Sequence, residues 1–239
     1  MSGPVIVNDW TEKYRPKDID SMEGNQNQLD KIRAWLDKWK DGKIPKKRGI
    51  LLSGPPGVGK TTLARAAANE KGWTIIELNA SAERNAAAIR STATRSSQHI
   101  SLDNFKKGKV KTGKTLILLD EVDHLSGGFS AISDEKINIS MEEEKSKIRG
   151  DKGGKGELLN LLKTSKQPII MTCNDPMRLW GNRNWRANRD RVLRLSQEII
   201  FKRVGPIHLK KIAKRISENE SIGIDQGALD VLVGNNVGD

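Results

Sequence analysis

Short apolar runs alternate along the chain with longer alanine-rich or amphipathic stretches. The runs lie at residues 50–52, 73–79, 115–119, 168–173 and 198–201. Their length is typical of strands, and the 115–119 run is continuously apolar, as expected of a parallel strand that is covered on both faces. The intervening stretches 62–68, 86–94 and 157–163 favour helices. This alternation predicts an α/β fold.

The pattern changes beyond Pro206. Two helices are predicted there, at residues 207–218 and 225–233, with Gly223 between them. We therefore predict a core at residues 1–204 and a small helical unit at 205–239. Within the core, residues 126–156 break the alternation with glycines and an acidic trio, which predicts a surface insertion.

The first chemical motif follows the 50–52 run and reads Gly54-Pro55-Pro56-Gly57-Val58-Gly59-Lys60-Thr61. Its glycines let several main-chain N–H groups converge, and the helix that begins after them adds a favourable dipole. Lys60 can then reach the β- and γ-phosphates of a nucleotide, and the Thr61 hydroxyl can ligate Mg²⁺. A plain turn would explain the glycines but not every fixed position in this strand–loop–helix order. The motif predicts binding of ATP with Mg²⁺.

The second motif, Asp120-Glu121-Val122-Asp123, ends the 115–119 run. Ligands collect at the carboxyl edge of parallel sheets. Asp120 is placed to hold Mg²⁺, largely through its waters, and Glu121 to orient and deprotonate the attacking water. For Asp123, capping, a solvated loop position and chemistry all remain open. The two motifs together predict hydrolysis as well as binding.

Charge and composition add a partner class. The 239-residue chain has a net charge of +12, and residues 178–215 hold twelve Lys or Arg against two acids. A solvated basic surface and contact with a nucleic-acid backbone both fit, and the local asymmetry favours the second. Cys173, the one cysteine, is predicted to be buried rather than reactive. No apolar stretch approaches 18 residues, so we predict no membrane contact and a cytoplasmic, nucleoid-associated protein.

Further segments carry a resemblance that covers essentially the whole chain. Residues 10–17, 77–81 and 172–176, together with the two motifs, resemble replication factor C, the AAA+ clamp loader. Residues 46–52 and 70–73 resemble its archaeal large subunit. The resemblance implies an AAA+ P-loop domain with a parallel five-stranded sheet, followed by a small, incomplete helical lid. It also implies that the 168–173 strand lies between the P-loop strand and the Asp120 strand.

The resemblance assigns further roles at the nucleotide. Asn174 would be the first sensor, hydrogen-bonded to the γ-phosphate or the attacking water, unless it only forms an Asn-Asp-Pro turn. Asn79 would restrain Glu121 until DNA binds, or else cap a turn. The implied catalytic residues are Lys60, Glu121 and Asn174, and the metal residues are Thr61 and Asp120. The implied nucleotide-binding residues are Gly54, Pro55, Pro56, Gly57, Val58, Gly59, Lys60, Thr61 and Thr62, with Tyr14, Arg15 and Pro16 flanking the adenine or forming a surface tether.

The resemblance also implies macromolecular contacts. Arg84 and Arg90 would face primer-template DNA, unless they form only the solvent face of their helix. Ile100, Leu102 and Phe105 would contact the sliding clamp, or else pack in the core of this chain.

The sequence departs from the family pattern at three places. Ala82 replaces the usual Asp, an arginine-finger motif is missing near residues 194–196, and the chain ends at Asp239, before the family's second-sensor arginine and collar. Two functions are therefore expected. One is the ATPase large subunit that, in a heteropentamer with small subunits, helps open the clamp and load it onto primer-template DNA during replication. In this role, DNA and the clamp would stimulate the ATPase. The other is a truncated nucleotide-binding fragment without independent turnover.

Overall fold

The computed structural model describes residues 9–39, 43–83, 85–92, 114–129 and 153–235. Its centre is a five-stranded sheet in which all strand pairs are parallel. The strands are β1 (Gly49–Ser53), β2 (Thr74–Asn79), β3 (Thr115–Asp120), β4 (Ile169–Cys173) and β5 (Ser196–Ile200). Their order across the sheet is β2-β3-β4-β1-β5. This order confirms the predicted five-stranded sheet and the place of β4 between the P-loop strand and the Asp120 strand.

Helices cover both faces of the sheet. They are α1 (Trp10–Lys13), α2 (Gln26–Asp37), α3 (Lys60–Glu70), α4 (residues 86–92), α5 (Gly154–Thr164), α6 (Pro176–Trp180), α7 (Trp185–Leu193), α8 (Pro206–Asn219) and α9 (Gln226–Asn235), with a 3₁₀ turn at Val122–His124. Within the described part of the chain, no helix is long and apolar enough to cross a membrane.

Successive residues of a strand point to opposite faces, so the sheet separates two apolar clusters. Leu51 and Ile117 pack on one face with α5 and α6, while Ile50 and Leu116 pack on the other with α2 and α3. Helix α2 was not among the predicted elements. Its apolar positions Leu29, Ile32 and Leu36 have helical spacing, and all are buried.

The ends of the predicted 126–156 insertion belong to the packed core, which corrects its boundaries. Helix α5 begins at Gly154, earlier than the predicted residue 157, and its first turn is buried. The Lys155 ammonium donates to the carbonyl oxygens of Arg178 (2.9 Å) and Leu179 (2.8 Å) near the end of α6. Phe129, at the other end of the segment, is also buried. Because the buried Lys155 pairs with carbonyl groups at the end of α6, it holds the start of α5 against the core.

A strap at the N-terminus, residues 9–25, connects the P-loop helix α3 with α8. On the α3 side, Asn69 donates to the carbonyl oxygen of Lys17 at 2.7 Å. On the α8 side, Lys211 pairs with Glu23 at 2.7 Å. The helices α8 and α9 pack against each other and contribute few buried side chains, chiefly Leu229 and Val233.

Candidate active site

The loop between β1 and α3 depends on its glycines. Gly54 lies so close to the Phe201 main chain that a Cβ would stand 2.4 Å from the Phe201 carbonyl oxygen. Gly59 has φ +87°, in the left-handed region that favours glycine. Helix α3 starts at the next residue, Lys60. The chain thus turns sharply from the strand into a helix N-terminus, the geometry that binds phosphate.

A cleft of about 230 Å³ opens at this edge of the sheet. It lies where the loop and the start of α3 meet the ends of β3 and β4, the carboxyl edge predicted to hold the site. Its lining residues are Pro56, Gly57, Gly59, Lys60, Thr61, Thr62, Asp120, Glu121, Thr172 and Asn174. The structure therefore brings together every residue that the sequence predicted for catalysis and metal binding. Of the predicted nucleotide-binding loop residues, Gly54, Pro55 and Val58 do not line the cleft, and the Val58 side chain packs in the core.

Lys60 provides the positive charge of the cleft. Its side chain is buried, and its ammonium donates to the carbonyl oxygens of Gly54 (2.8 Å) and Pro55 (2.6 Å). Both acceptors are neutral. Burial lowers the pKa of Lys60, although the nearby acidic groups, including Asp120, oppose that shift. A phosphate group in the cleft would favour the charged ammonium.

The two predicted metal residues contact each other. The Thr61 hydroxyl donates to Asp120 Oδ1 at 2.8 Å. Two oxygens this close could serve one Mg²⁺ ion, with Thr61 as a ligand and Asp120 acting largely through the waters of the ion, as the sequence predicts. One hydroxyl and one carboxylate are also the kind of protein ligands that accompany nucleotide phosphates around Mg²⁺. The residues present therefore fit a nucleotide-bound Mg²⁺ ion.

Glu121 is held in an unusual conformation next to Asn174. Its φ is +57° and its ψ is +47°, in the left-handed region that few residues other than glycine adopt. Its main-chain N–H donates to the Thr172 hydroxyl at 2.9 Å. The Asn174 amide nitrogen lies 3.4 Å from Glu121 Oε1. The predicted base and the predicted sensor are thus neighbours at the ends of adjacent strands.

Asn79 has the capping role rather than contact with Glu121. Its Oδ1 accepts hydrogen bonds from the N–H (2.9 Å) and the hydroxyl (2.7 Å) of Ser81. This turn immediately follows β2, at the edge of the sheet. The side-chain amide beside Glu121 belongs instead to Asn174, because β4 and not β2 continues into the cleft.

Asp123, for which the sequence left three roles open, caps the chain after β4. Only 3 % of its surface is exposed, and its carboxylate accepts the N–H groups of Asn174 (3.1 Å) and Asp175 (3.3 Å). Cys173 lies between these strand ends, and burial raises the pKa of its thiol. The cysteine is buried, as predicted, and its raised pKa disfavours the reactive thiolate, while Asp123 holds the main chain of Asn174, the predicted sensor.

The strap residues predicted to flank the adenine lie beside α3 and α8. The Arg15 guanidinium donates to the Thr62 hydroxyl at 3.0 Å, next to Thr61, the predicted metal residue. The Tyr14 hydroxyl donates to Glu220 at 2.8 Å. Tyr14, Arg15 and Pro16 are absent from the residues that line the described cleft. They connect the P-loop helix with the helical unit that follows the core.

Of the residues predicted to contact DNA or the clamp, the structure describes Arg90. Arg90 of α4 forms an ion pair with Glu157 at 3.3 Å, and the two side chains are 22 % and 7 % exposed. Its guanidinium therefore has an internal role, which weakens its candidacy as a phosphate contact. Arg84, Ile100, Leu102 and Phe105 lie outside the described residues.

The comparison with protein families decides the classification. The model of the ATPase family associated with various cellular activities (AAA) matches residues 50–194, which include the loop, both strand ends and Asn174. The chain belongs to the AAA family of ATPases. The AAA match agrees with the parallel sheet and the cleft, and nucleotide binding is the general property that the family implies.

Curated relatives confirm the resemblance to archaeal replication factor C large subunits. The large subunit of Sulfolobus acidocaldarius is 34 % identical over 230 residues, covering 96 % of this chain and 44 % of that protein. The large subunit of Nanoarchaeum equitans is 35 % identical over 217 residues, covering 91 % of this chain and 41 % of that protein. The AAA-family chain thus spans less than half the length of these relatives.

Solved structures support the fold. The RuvB Holliday junction branch migration motor of Thermotoga maritima matches 92 % of this chain and 59 % of that chain, with a TM-score of 0.60. The sequence identity is 19 %, so this likeness concerns the fold alone.

Proposed function

We propose that this AAA-family chain binds and hydrolyses ATP as the motor part of a clamp-loader large subunit. In that role it helps open the sliding clamp and load it onto primer-template DNA during replication. The observation that carries the proposal is the single cleft that contains Lys60, Thr61, Asp120, Glu121 and Asn174. The similarity to archaeal replication factor C large subunits supplies the clamp-loader part.

Each residue has a distinct task in the proposed reaction. Lys60 and the N-terminus of α3 bind the phosphates. Thr61 and Asp120 would hold Mg²⁺, which would supply positive charge to offset that of the phosphates. Glu121 orients the attacking water and accepts its proton, while Asn174 fixes the Glu121 carboxylate or the water. Catalysis in this class is mostly positioning and electrostatic stabilisation, so the strand ends that hold these groups matter as much as the groups themselves.

Two substitutions test the nucleotide site. Lys60→Ala should abolish ATP binding, because the phosphates lose the cation placed at the loop. Glu121→Gln should retain binding but lower the hydrolysis rate by about 10²–10⁴-fold, the usual contribution of a positioned general base. Binding is measured with a fluorescent ATP analogue and turnover by phosphate release. Lys163→Ala, which removes an exposed lysine of α5, is the matched control and should change neither.

The results separate the possible functions. Wild-type turnover by Glu121→Gln would show that Glu121 is not the base. Nucleotide binding by the wild-type chain without any turnover would favour the alternative, a nucleotide-binding fragment without independent turnover.

The macromolecular part of the proposal concerns the other predicted contacts. The partners would be the small subunits of a heteropentamer, the clamp through Ile100, Leu102 and Phe105, and primer-template DNA. DNA contact would be directed at phosphates and would weaken with salt, whatever the sequence. Arg84 and the exposed arginines of residues 178–194 are better candidates than Arg90, which is paired with Glu157. Residues 1–204 would form the ATPase core, and residues 205–239 part of the lid.

A further inference from the structure

The hydroxyl of Thr172 joins the two acidic residues at the end of β3. Thr172 is 2 % exposed and lies on β4 directly after Met171, which is paired with Leu119 of β3, the residue before Asp120. Its Oγ1 accepts the main-chain N–H of Glu121 at 2.9 Å and donates to Asp120 Oδ1 at 2.5 Å. The buried side chain of Thr172 therefore contacts both the carboxylate of Asp120, the predicted metal residue, and the main chain of Glu121, the predicted base.

The direction of these hydrogen bonds follows from the groups involved. A main-chain N–H can only donate, so the Thr172 oxygen is the acceptor for Glu121. A threonine hydroxyl has a single proton, and its other contact is a carboxylate, so that proton goes to Asp120. The short distance is typical of a hydroxyl that donates to a charged carboxylate. Asp120 Oδ1 thus accepts two hydroxyl groups, one from Thr172 and one from Thr61 at 2.8 Å.

The contact with Glu121 restrains a conformation that the residue rarely adopts by itself. The left-handed φ and ψ of Glu121 persist only where the surroundings hold them. Thr172 supplies the acceptor for the N–H of this residue, and a second bond runs from the His124 N–H to the Glu121 carbonyl at 2.9 Å. Without the Thr172 acceptor, the main chain at Glu121 can relax toward common angles. That relaxation would move its carboxylate away from Asn174.

We propose that Thr172 is a positioning residue for ATP hydrolysis, which acts by holding the Glu121 main chain and the Asp120 carboxylate in register. This inference rests on the proposed function. The role belongs to the hydroxyl rather than to the bulk of the side chain. Thr172 therefore acts on turnover far more than on nucleotide affinity, since its hydroxyl bonds to Asp120 and Glu121, whereas the ammonium of Lys60 bonds to the loop carbonyls of Gly54 and Pro55.

Three variants test the role. Thr172→Val keeps the shape and removes the hydroxyl, and Thr172→Ser restores the hydroxyl with a smaller side chain. Thr92→Val is the matched control, because Thr92 is another fully buried threonine, on α4, whose hydroxyl donates to a main-chain carbonyl at 2.9 Å. The measurements are kcat and KM for ATP, the melting temperature, and amide hydrogen exchange at Glu121 by NMR.

Thr172→Val should lower kcat by about tenfold to hundredfold, the effect expected of slightly misplaced reacting groups, with little change in KM. The Glu121 amide should exchange faster in this variant. Thr172→Ser should recover most of the wild-type kcat and most of the protection of the Glu121 amide. Thr92→Val should leave kcat and the exchange of the Glu121 amide as in the wild type.

Other outcomes overturn the proposal. Unchanged kcat in Thr172→Val would show that the hydroxyl has no part in turnover. A loss that Thr172→Ser does not recover, with equal falls in melting temperature and nucleotide affinity, would show a purely structural role. If the wild-type chain does not hydrolyse ATP, the proposed function fails separately. The exchange rate of the Glu121 amide then tests the Thr172 contact without any need for turnover. Faster exchange in Thr172→Val with recovery in Thr172→Ser supports the positioning contact, and unchanged exchange overturns it.

Discussion

The edge of the sheet that forms the candidate active site and the junction between the strap and α8 are held together in different ways. At the candidate site, Thr172 and Asp123 are 2 % and 3 % exposed and connect β3 with β4 through hydrogen bonds. At the junction, Lys13 pairs with Glu220 at 2.6 Å, with side chains that are 42 % and 18 % exposed. Losing a buried bond leaves a polar group without water, whereas an exposed ion pair is readily replaced by solvent.

Apolar side chains are also more deeply buried at the candidate site than in α8 and α9. The strands next to the cleft are buried throughout β1, β4 and nearly all of β3. In α8 and α9, by contrast, Ile207 is 81 % and Val231 64 % exposed, and side chains of both helices line an apolar cleft of about 350 Å³ with Trp10. From this comparison we expect the site to be held more firmly than α8 and α9, whose attachment through exposed ion pairs should respond to pH and salt.

The largest effect is expected from removing the Asp123 carboxylate. Asp123→Ala should destabilise the chain by about 1–3 kcal/mol for each of the two N–H donors it leaves unpaired, and should also lower ATP turnover. Urea unfolding and phosphate release measure the two effects. The matched control is Asp175→Ala, since the exposed Asp175 carboxylate also accepts two N–H groups, from Met177 (2.9 Å) and Arg178 (3.3 Å). Asp175→Ala should lower the free energy of unfolding by about 1 kcal/mol, as expected for the loss of an ordinary helix cap. Equal losses in the two variants would contradict the contrast between buried and exposed bonds.

A smaller effect is expected at the buried end of the insertion. Lys155→Met keeps the apolar stem beside Phe129 but removes the ammonium that serves the carbonyls of Arg178 and Leu179. We expect a loss of about 1–2 kcal/mol in the free energy of unfolding, with faster amide exchange in α6. The exposed Lys163 of the same helix supplies the control Lys163→Met, for which no measurable change is expected. Equal stability of the two variants would show that the Lys155 contacts add nothing.

The smallest effect is expected at the strap, and it depends on pH. Burial alone would raise the pKa of Glu23, but hydrogen bonds from Lys211 and His208 hold it below its ordinary value of 4.5. Hydrogen bonds from Lys13 and Tyr14 likewise lower the pKa of Glu220. A carboxyl group whose pKa is lowered by folding stabilises the fold above its ordinary pKa, and that stabilisation is lost as the pH falls through the lowered value.

Acidification below pH 4.5 should therefore loosen α8, with faster amide exchange in that helix than in α3. Added salt should weaken the same contacts at neutral pH. The double variant Glu23→Gln/Glu220→Gln removes both carboxylates and should show a flatter pH dependence of exchange in α8. An unchanged pH dependence would assign the effect to other acids.

Several features were predictable because they depend on residues that are close in sequence. The five apolar runs predicted five strands, and the glycines with Lys60 and Thr61 predicted the loop and the helix start. The ends of the insertion were predicted less well. Glycines at 150–156 indicated an open surface, but Lys155 is buried because α6 provides carbonyl acceptors for its ammonium.

The sequence by itself determined the strands, the phosphate loop and the acids that follow β3, since apolar runs and glycine conformations act locally. Only the tertiary structure decided how those acids are held. The parallel pairing of β3 with β4 places Thr172 beside Asp120 and Glu121, and brings Asp123 under the main chain of Asn174. The role of Arg90 was likewise decided by a distant partner, Glu157 on α5, whereas Asn79 caps a local turn through Ser81, two residues away, as one of the sequence alternatives expected. A hydrogen bond or an ion pair needs a partner at a set distance, and residues 50 or more positions apart meet only when the sheet has formed.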